Sequence, residues 1–263
     1  MDHEVTATVL GPPPRRGVLA RGWEAAYGVY VWLAFAASAC TAVLAVLLIP
    51  GLPRRRSAVR HIARGFLRVA GIPLQVRGLE NLPAAQCVVV ANHASYLDGV
   101  IMTATLPPRF AYVVKREMDG FPLAGLLLRR IGTQFVERFN RQRGATDARR
   151  VLRTASSGQA LVFFPEGTFS TEPGLLKFHA GAFTTAVRAG CPVVPAVILG
   201  SRQIMPSSRL LPCRGRIEVV LLAAIEQSSD TTEHAAHELR DRARNLILER
   251  LGEPDLSLER EPR

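Results

Sequence analysis

A chain of 263 residues has room for one sizeable domain or two small ones, and a hydrophobic content of 48% excludes a disordered protein. The formal charge of +11 rests almost wholly on arginine, Lys115 and Lys177 being the only lysines, and favours anionic partners: phospholipid head groups, phosphorylated substrates or nucleic acid. Four widely separated cysteines (Cys40, Cys87, Cys191, Cys213) contain no C-x-x-C pair, which argues against a zinc knuckle and fits a reducing compartment.

Residues 1–28 read as a poorly ordered N-terminus, because Gly11-Pro12-Pro13-Pro14 cannot continue a helix and arginines follow. Val29 to Ile49 carries no charge and is long enough to cross a hydrocarbon core as a helix. Ala37-Ser38-Ala39 offers a signal-peptide-like site, but the apolar run continues past it, so a retained anchor is the expectation. A hairpin half-embedded in one leaflet is the alternative. Arg54, Arg55, Arg56, Arg60, Arg64 and Arg68 follow the run and outnumber Arg15, Arg16 and Arg21 ahead of it. That asymmetry places the main body on the cytoplasmic side of the cell membrane. Residues 57–69 form an amphipathic pattern with Val59, Ile62, Ala63, Phe66 and Val69 on one face. Such a helix either lies on anionic lipid or packs on the core. Residues 29–70 are thus one membrane-associated unit.

From residue 71 to 252 strands alternate with helices. Apolar runs at 73–77, 86–91, 110–114, 134–137, 160–164, 193–198 and 216–222 read as strands; stretches near 98–105, 122–130, 145–156, 179–189 and 231–251 read as helices. The pattern is that of an α/β domain with a largely parallel sheet. Pro195 implies that its strand is an edge or carries a bulge. Residues 253–263 read as a charged, frayed tail.

Two turns collect the chemistry. The run Val88-Val89-Val90 delivers Asn92, His93 and Ser95 into polar sequence, with Asp98 five residues beyond the histidine. Strand ends of an α/β sheet are where ligands sit, imidazole accepts a proton near pH 7, and a neighbouring carboxylate fixes its tautomer. No serine or cysteine completes a hydrolase triad, and Gly-x-Ser-x-Gly is absent, so the nucleophile falls to a substrate hydroxyl. In the second turn, Phe164-Pro165-Glu166-Gly167-Thr168, Glu166 is placed to accept from a substrate hydroxyl. Backbone amides after Gly167, with Thr168 and Ser170, are placed to hold an anion. Arg138 ends another strand and suits phosphate, although a solvated arginine fits equally well there. His234 and His237 lack metal-ligand spacing and read as surface residues; no metal site is expected.

His93 and Asp98 in Asn-His-x4-Asp, Gly132 to Arg138, Phe164 to Thr168, and Val194-Pro195 follow one another as four ordered blocks over residues 73–205. They resemble the glycerolipid acyltransferases, specifically the 1-acylglycerol-3-phosphate acyltransferase group. The resemblance implies a glycerol-3-phosphate acyltransferase-like αβ fold behind an N-terminal membrane-associated helical segment. It makes His93 the general base and Asp98 its partner, and gives the glycerol phosphate to Arg138, Glu166 and Gly167, with Lys115 in reach. Asn92, Ser95 and Thr168 join them as candidate substrate-binding residues. The implied partners are a membrane phospholipid bilayer, a lysophospholipid acceptor, and acyl-CoA or acyl carrier protein as co-substrate; no further cofactor is implied. One position departs from the pattern: many members have arginine two residues after the glycine of the third block, and here Phe169 stands there. Either Arg138 and Lys115 suffice for phosphate, or the acceptor carries another head group. The scattered arginines and 6% aromatic content argue against nucleic acid.

Overall fold

The protein is described by a computed structural model over residues 18–137, 141–206, 208–227 and 232–257. Every run expected to be extended is a strand: β1 (Leu74–Arg77), β2 (Val88–Ala91), β3 (Ala111–Lys115), β4 (Gln134–Val136), β5 (Leu161–Phe163), β6 (Val193–Leu199) and β7 (Ile217–Leu221). They form one sheet in the order β1-β7-β6-β2-β5-β3-β4, parallel throughout except for the antiparallel pair β6–β7.

The central place of β2 explains its composition. Val88 and Val90 face a core shared with Phe183 and Ala186 of α6 (Gly181–Ala189) and with Ala243 and Ile247 of α8 (Glu233–Leu251). Val89 and Ala91 face the opposite core, with Phe66 and Leu67 of α2 (Leu52–Val69) and Ile101 and Met102 of α3 (Asp98–Thr105). A strand covered on both faces needs an unbroken apolar run in place of alternation, and each such valine contributes roughly 1.5–3 kcal/mol by its burial. On the β3–β5 side, α5 (Arg141–Ser156) packs Val151 and Ala155 on Ala111 and Leu161.

Pro195 is not on an edge: β6 lies between β7 and β2. Its carbonyl accepts from Leu222 N (2.8 Å), where the regular β6–β7 register has just ended at Ala196 and Leu221. The next pairing joins Val193 to Ile225, so Ala223 and Ala224 together oppose Val194. That extra residue is the bulge, and it lies on the partner segment.

The N-terminal helices differ from expectation in two ways. α1 (Val18–Leu48) begins eleven residues before the apolar run, so residues 18–28 are its first turns; residues 1–17 lie outside the described residues. Tyr27 Oη donates to Ala70 O (2.9 Å), and Tyr30 Oη to Val69 O (2.8 Å). Further along, Phe35 packs edge-on against Phe66, and Val46 meets Val59 and Ile131. α1 is thus packed lengthwise on the body. In α2, the arginines largely turn inward. Arg56 is buried and donates to Ile131 O (2.8 Å), Arg109 O (3.2 Å) and Gln159 Oε1 (3.1 Å). Arg60 and Arg64 donate to Thr105 O (3.4 Å) and Ala104 O (2.7 Å), the carbonyls that end α3. A helix leaves its last carbonyls without partners, and cationic donors suit that negative end. The packed reading of α2 therefore holds for Val59, Ala63 and Phe66, with Leu67 buried in place of the exposed Val69.

The tail also departs from expectation. Residues 253–257 are docked: Leu175 N donates to Pro254 O and Leu256 N to Leu175 O, both at 3.0 Å. Residues 258–263 lie outside the described residues.

Arg56→Met should lower the unfolding free energy by roughly 1–3 kcal/mol, because the Ile131 carbonyl would stay buried without its donor. Urea unfolding in detergent measures this; an unchanged midpoint would mean that the carbonyl finds another partner.

Candidate active site

Four parallel strands, β2, β5, β3 and β4, end at one edge of the sheet, and the candidate residues follow them there. The turn after β2 is shaped by Asp98, the first residue of α3, which is fully buried. Its Oδ2 accepts from Ala94 N (2.7 Å), Ser95 N (2.8 Å) and His93 Nδ1 (2.8 Å). A carboxylate that accepts from Nδ1 assigns the ring hydrogen to that nitrogen and leaves the Nε2 lone pair free to take a proton. The histidine side chain keeps 21% of its surface exposed, while the aspartate keeps none. The expected pairing of His93 with Asp98 is therefore present.

Glu166 lies directly behind this pair, 3% exposed. Its Oε1 accepts from His93 N (2.6 Å) and its Oε2 from Leu176 N (2.9 Å). The expectation that Glu166 meets a substrate hydroxyl thus encounters a carboxyl group with both oxygens already taken. It works as a staple between the turn after β2 and the loop after β5. Gly167 permits that loop its φ of 76° and donates its own amide to Phe164 O (3.0 Å). The amides of His93, Ala94, Ser95 and Gly167 all point to protein acceptors, so none of these four is open to an oxyanion.

Two more candidates turn away from any substrate. Asn92 is buried and clips β2 to β6 through its side chain, accepting from Ile198 N (2.7 Å) and donating to Ile198 O (3.0 Å). Ser95 Oγ donates to Met205 O (2.8 Å) and accepts from Leu97 N (3.2 Å), with no exposed surface. Lys115 and Thr168 are exposed, at the end of β3 and in the third-block loop. Arg138 lies outside the described residues; the preceding Glu137 donates its amide to Asp147 Oδ2 (2.9 Å), which also accepts from Arg116 Nε (3.1 Å).

Aromatic rings complete the site, and only Phe169 among them drew notice in the sequence. Phe164 stacks on the His93 ring at 4.6 Å, and Phe169 meets it edge-on at 4.6 Å. Tyr96, largely exposed, packs on Phe169 at 4.8 Å. Phe164 and Tyr96 also line an apolar cavity of about 320 Å3. Its other walls come from Phe35 of α1, Ile62 and Phe66 of α2, Val100 of α3 and Leu127 of α4 (Pro122–Arg130). One aromatic ring therefore separates the imidazole from an apolar space of the size that holds small ligands.

A histidine–carboxylate pair at the end of a parallel sheet, beside an apolar cavity, can take a proton from a hydroxyl. Comparison with known proteins gives the family. Residues 73–199 match the Acyltransferase family model. The chain is 32% identical over 212 residues to human 1-acyl-sn-glycerol-3-phosphate acyltransferase beta, covering 77% of this chain and 74% of that protein. It is 32% identical over 223 residues to the chloroplastic 1-acyl-sn-glycerol-3-phosphate acyltransferase BAT2 of Brassica napus, covering 80% of this chain but only 63% of that protein. The crystal structure of PlsC, the 1-acyl-sn-glycerophosphate acyltransferase from Thermotoga maritima, superposes with a TM-score of 0.73 at 19% identity, over 88% of this chain and 98% of that one. The chain belongs to the 1-acyl-sn-glycerol-3-phosphate acyltransferase family of glycerolipid acyltransferases.

Burial pushes the Glu166 carboxyl from 4.5 up to about 8, against the pull of the His93 and Leu176 amides. A carboxyl raised on folding binds a proton between its unfolded and folded values, so stability contributed by this group falls from about pH 4.5 to about pH 8 and is level above. Glu166→Gln should remove that slope. Thermal unfolding of both proteins across this range measures it, and parallel curves would contradict the assignment.

Proposed function

We propose that the protein moves a fatty acyl group from an acyl thioester, acyl-CoA or acyl carrier protein, to the free hydroxyl of 1-acylglycerol-3-phosphate, giving phosphatidic acid. The observation that carries this reading is the His93–Asp98 pair at 2.8 Å, with Nε2 left as acceptor beside the apolar cavity. Nε2 takes the hydroxyl proton while the acceptor oxygen bonds to the thioester carbonyl carbon. Collapse of the tetrahedral adduct breaks the carbon–sulfur bond, and the departing thiolate recovers the proton from the imidazolium. Asp98 holds the ring and balances its charge; general-base help of this kind is worth about 10²–10⁴-fold. The cavity between α1, α2 and α4 is where an acyl chain fits.

Phe169 supports a second acceptor reading. It puts carbon against the histidine edge where a guanidinium would offer phosphate a charge-assisted bond. A lysolipid with a different head group, or an amino-lipid, is therefore the alternative acceptor.

The bilayer enters the same proposal. α1 contains a 27-residue stretch, Gly22–Leu48, apolar and long enough to cross a membrane. Yet one stripe of it is packed on the body, while Trp23, Val29, Leu33, Leu44 and Leu48 lie exposed. Such a helix suits one leaflet of the cell membrane, with the catalytic domain and both chain ends on the cytoplasmic side. Tags at the two termini should then be cleaved together from that side of sealed vesicles; cleavage from opposite sides would mean that α1 crosses.

His93→Ala should abolish transfer with folding and membrane binding intact, and Asp98→Asn should lower kcat more than it changes acceptor KM. The decisive measurement is a donor-by-acceptor activity matrix on the purified protein. Turnover of another lysolipid without turnover of lysophosphatidic acid would replace the first reading by the second, and full activity of the histidine variant would remove His93 from the mechanism.

A further inference from the structure

The catalytic turn is fastened through a chain of contacts that starts more than 150 residues away, at the C-terminal segment. α8 ends at Gly252, and residues Glu253–Leu256 then fold back beside the loop that follows β5. Arg244, buried on α8, grips both. Its Nη1 and Nη2 donate to Asp255 Oδ2 (3.1 Å) and Oδ1 (2.5 Å), while Nη2 and Nε reach Leu175 O (2.8 Å) and Leu176 O (3.1 Å). Paired bonds of this sort fix direction as well as distance. Glu253 Oε2 accepts from Gly174 N (2.7 Å) and from Arg202 Nη2 (3.3 Å), and Arg202 also donates to Ser170 O (2.8 Å). Leu256 is buried against Gly174, where a Cβ would come within 2.4 Å of its side chain.

Peptides 174–176 therefore have a fixed position, and Leu176 N is the donor that holds Glu166 Oε2. The other oxygen of the same carboxyl holds His93 N at 2.6 Å. We propose that the strap Glu253–Leu256, with Arg244 as its clasp, is a positioning device for the catalytic histidine, acting through Leu176 and Glu166. The proposal rests on the reading of His93 as general base. Arg244, Glu253 and Asp255 touch no reacting atom; they set where the backbone of His93 sits relative to Asp98 and the cavity. α8 has a buried face of its own apart from the strap, formed by Ala235, Ala236, Leu239, Ala243 and Ile247. The Arg244 guanidinium also holds the Asp255 carboxyl well below the usual carboxylate range.

The test uses the full-length enzyme in mixed micelles, with Asp255→Ala and a variant ending at Gly252. A misplacement of catalytic geometry costs turnover, so kcat should fall at least about tenfold with KM for donor and acceptor little changed. In a Glu166→Gln background the same changes should add little, because they act along one route, and Asp255→Glu should restore part of the loss. Unchanged kcat in both strap variants, or losses that multiply fully with Glu166→Gln, would overturn the proposal. Hydrogen–deuterium exchange of the peptide around His93 in Asp255→Asn gives a readout that needs no activity: faster exchange there is expected, and an unchanged rate overturns the strap. Activity retained by His93→Ala would refute the acyl-transfer base while leaving the exchange result to decide the strap.

Discussion

The site depends on one oxygen atom. Asp98 Oδ2 accepts three hydrogen bonds, two from the backbone of its own turn and one from the imidazole. The two backbone bonds close the turn Ala94–Asp98 around the carboxylate, so the partner of the base and the shape of the loop that carries it are the same object. The third bond is the one that the proposed mechanism uses. The other oxygen, Oδ1, is buried with no hydrogen-bond partner among the described residues. A carboxylate left short of donors in a dry environment interacts more strongly with a positive charge that appears beside it. In the proposed transfer, protonation of His93 supplies that charge as the acceptor oxygen attacks.

Glu166 extends the same logic to a second strand. β2 and β5 are hydrogen-bonded neighbours, Val90 opposite Phe163, so their following turns emerge side by side. A buried carboxyl with one oxygen on each turn locks the two together. The invariable cost of burying such a group shows in its raised titration; two backbone donors and the nearby Arg202 offset part of it. Three carboxyl groups in series (Asp98, Glu166 and Asp255) thus lead from the imidazole through the sheet edge to the end of α8, and each takes at least one backbone amide on the way.

The strands were legible because burial on both sheet faces demands apolar runs, and the runs at β2, β5 and β6 have no other use. His93 and Asp98 were legible because their spacing places both in one turn. What escaped was direction. Asn92 and Ser95 adjoin the base in sequence, but their polar atoms turn to Ile198 and Met205. The arginines of α2 look like a lipid-facing set in any helical projection, yet Arg56, Arg60 and Arg64 meet carbonyls left free by other elements. Glu253 and Asp255 read as solvated charges because Gly174 and Arg202 are remote in sequence and Arg244 lies across the end of α8. Long-range polar pairing leaves no periodicity, so composition could not reveal it.

Phe169 shows how the same blindness bears on chemistry. In sequence it is an aromatic residue where charge was expected; in the structure it meets the imidazole edge-on while Phe164 stacks on the ring. With Nδ1 engaged by Asp98, the edge carrying Nε2 is the direction left for a proton donor. Phe164 therefore joins the two parts of the site: it stacks on the imidazole and, with Tyr96, lines the apolar cavity, so that in the proposed reaction the apolar part of an amphiphile lies on one side of that ring and its hydroxyl on the other.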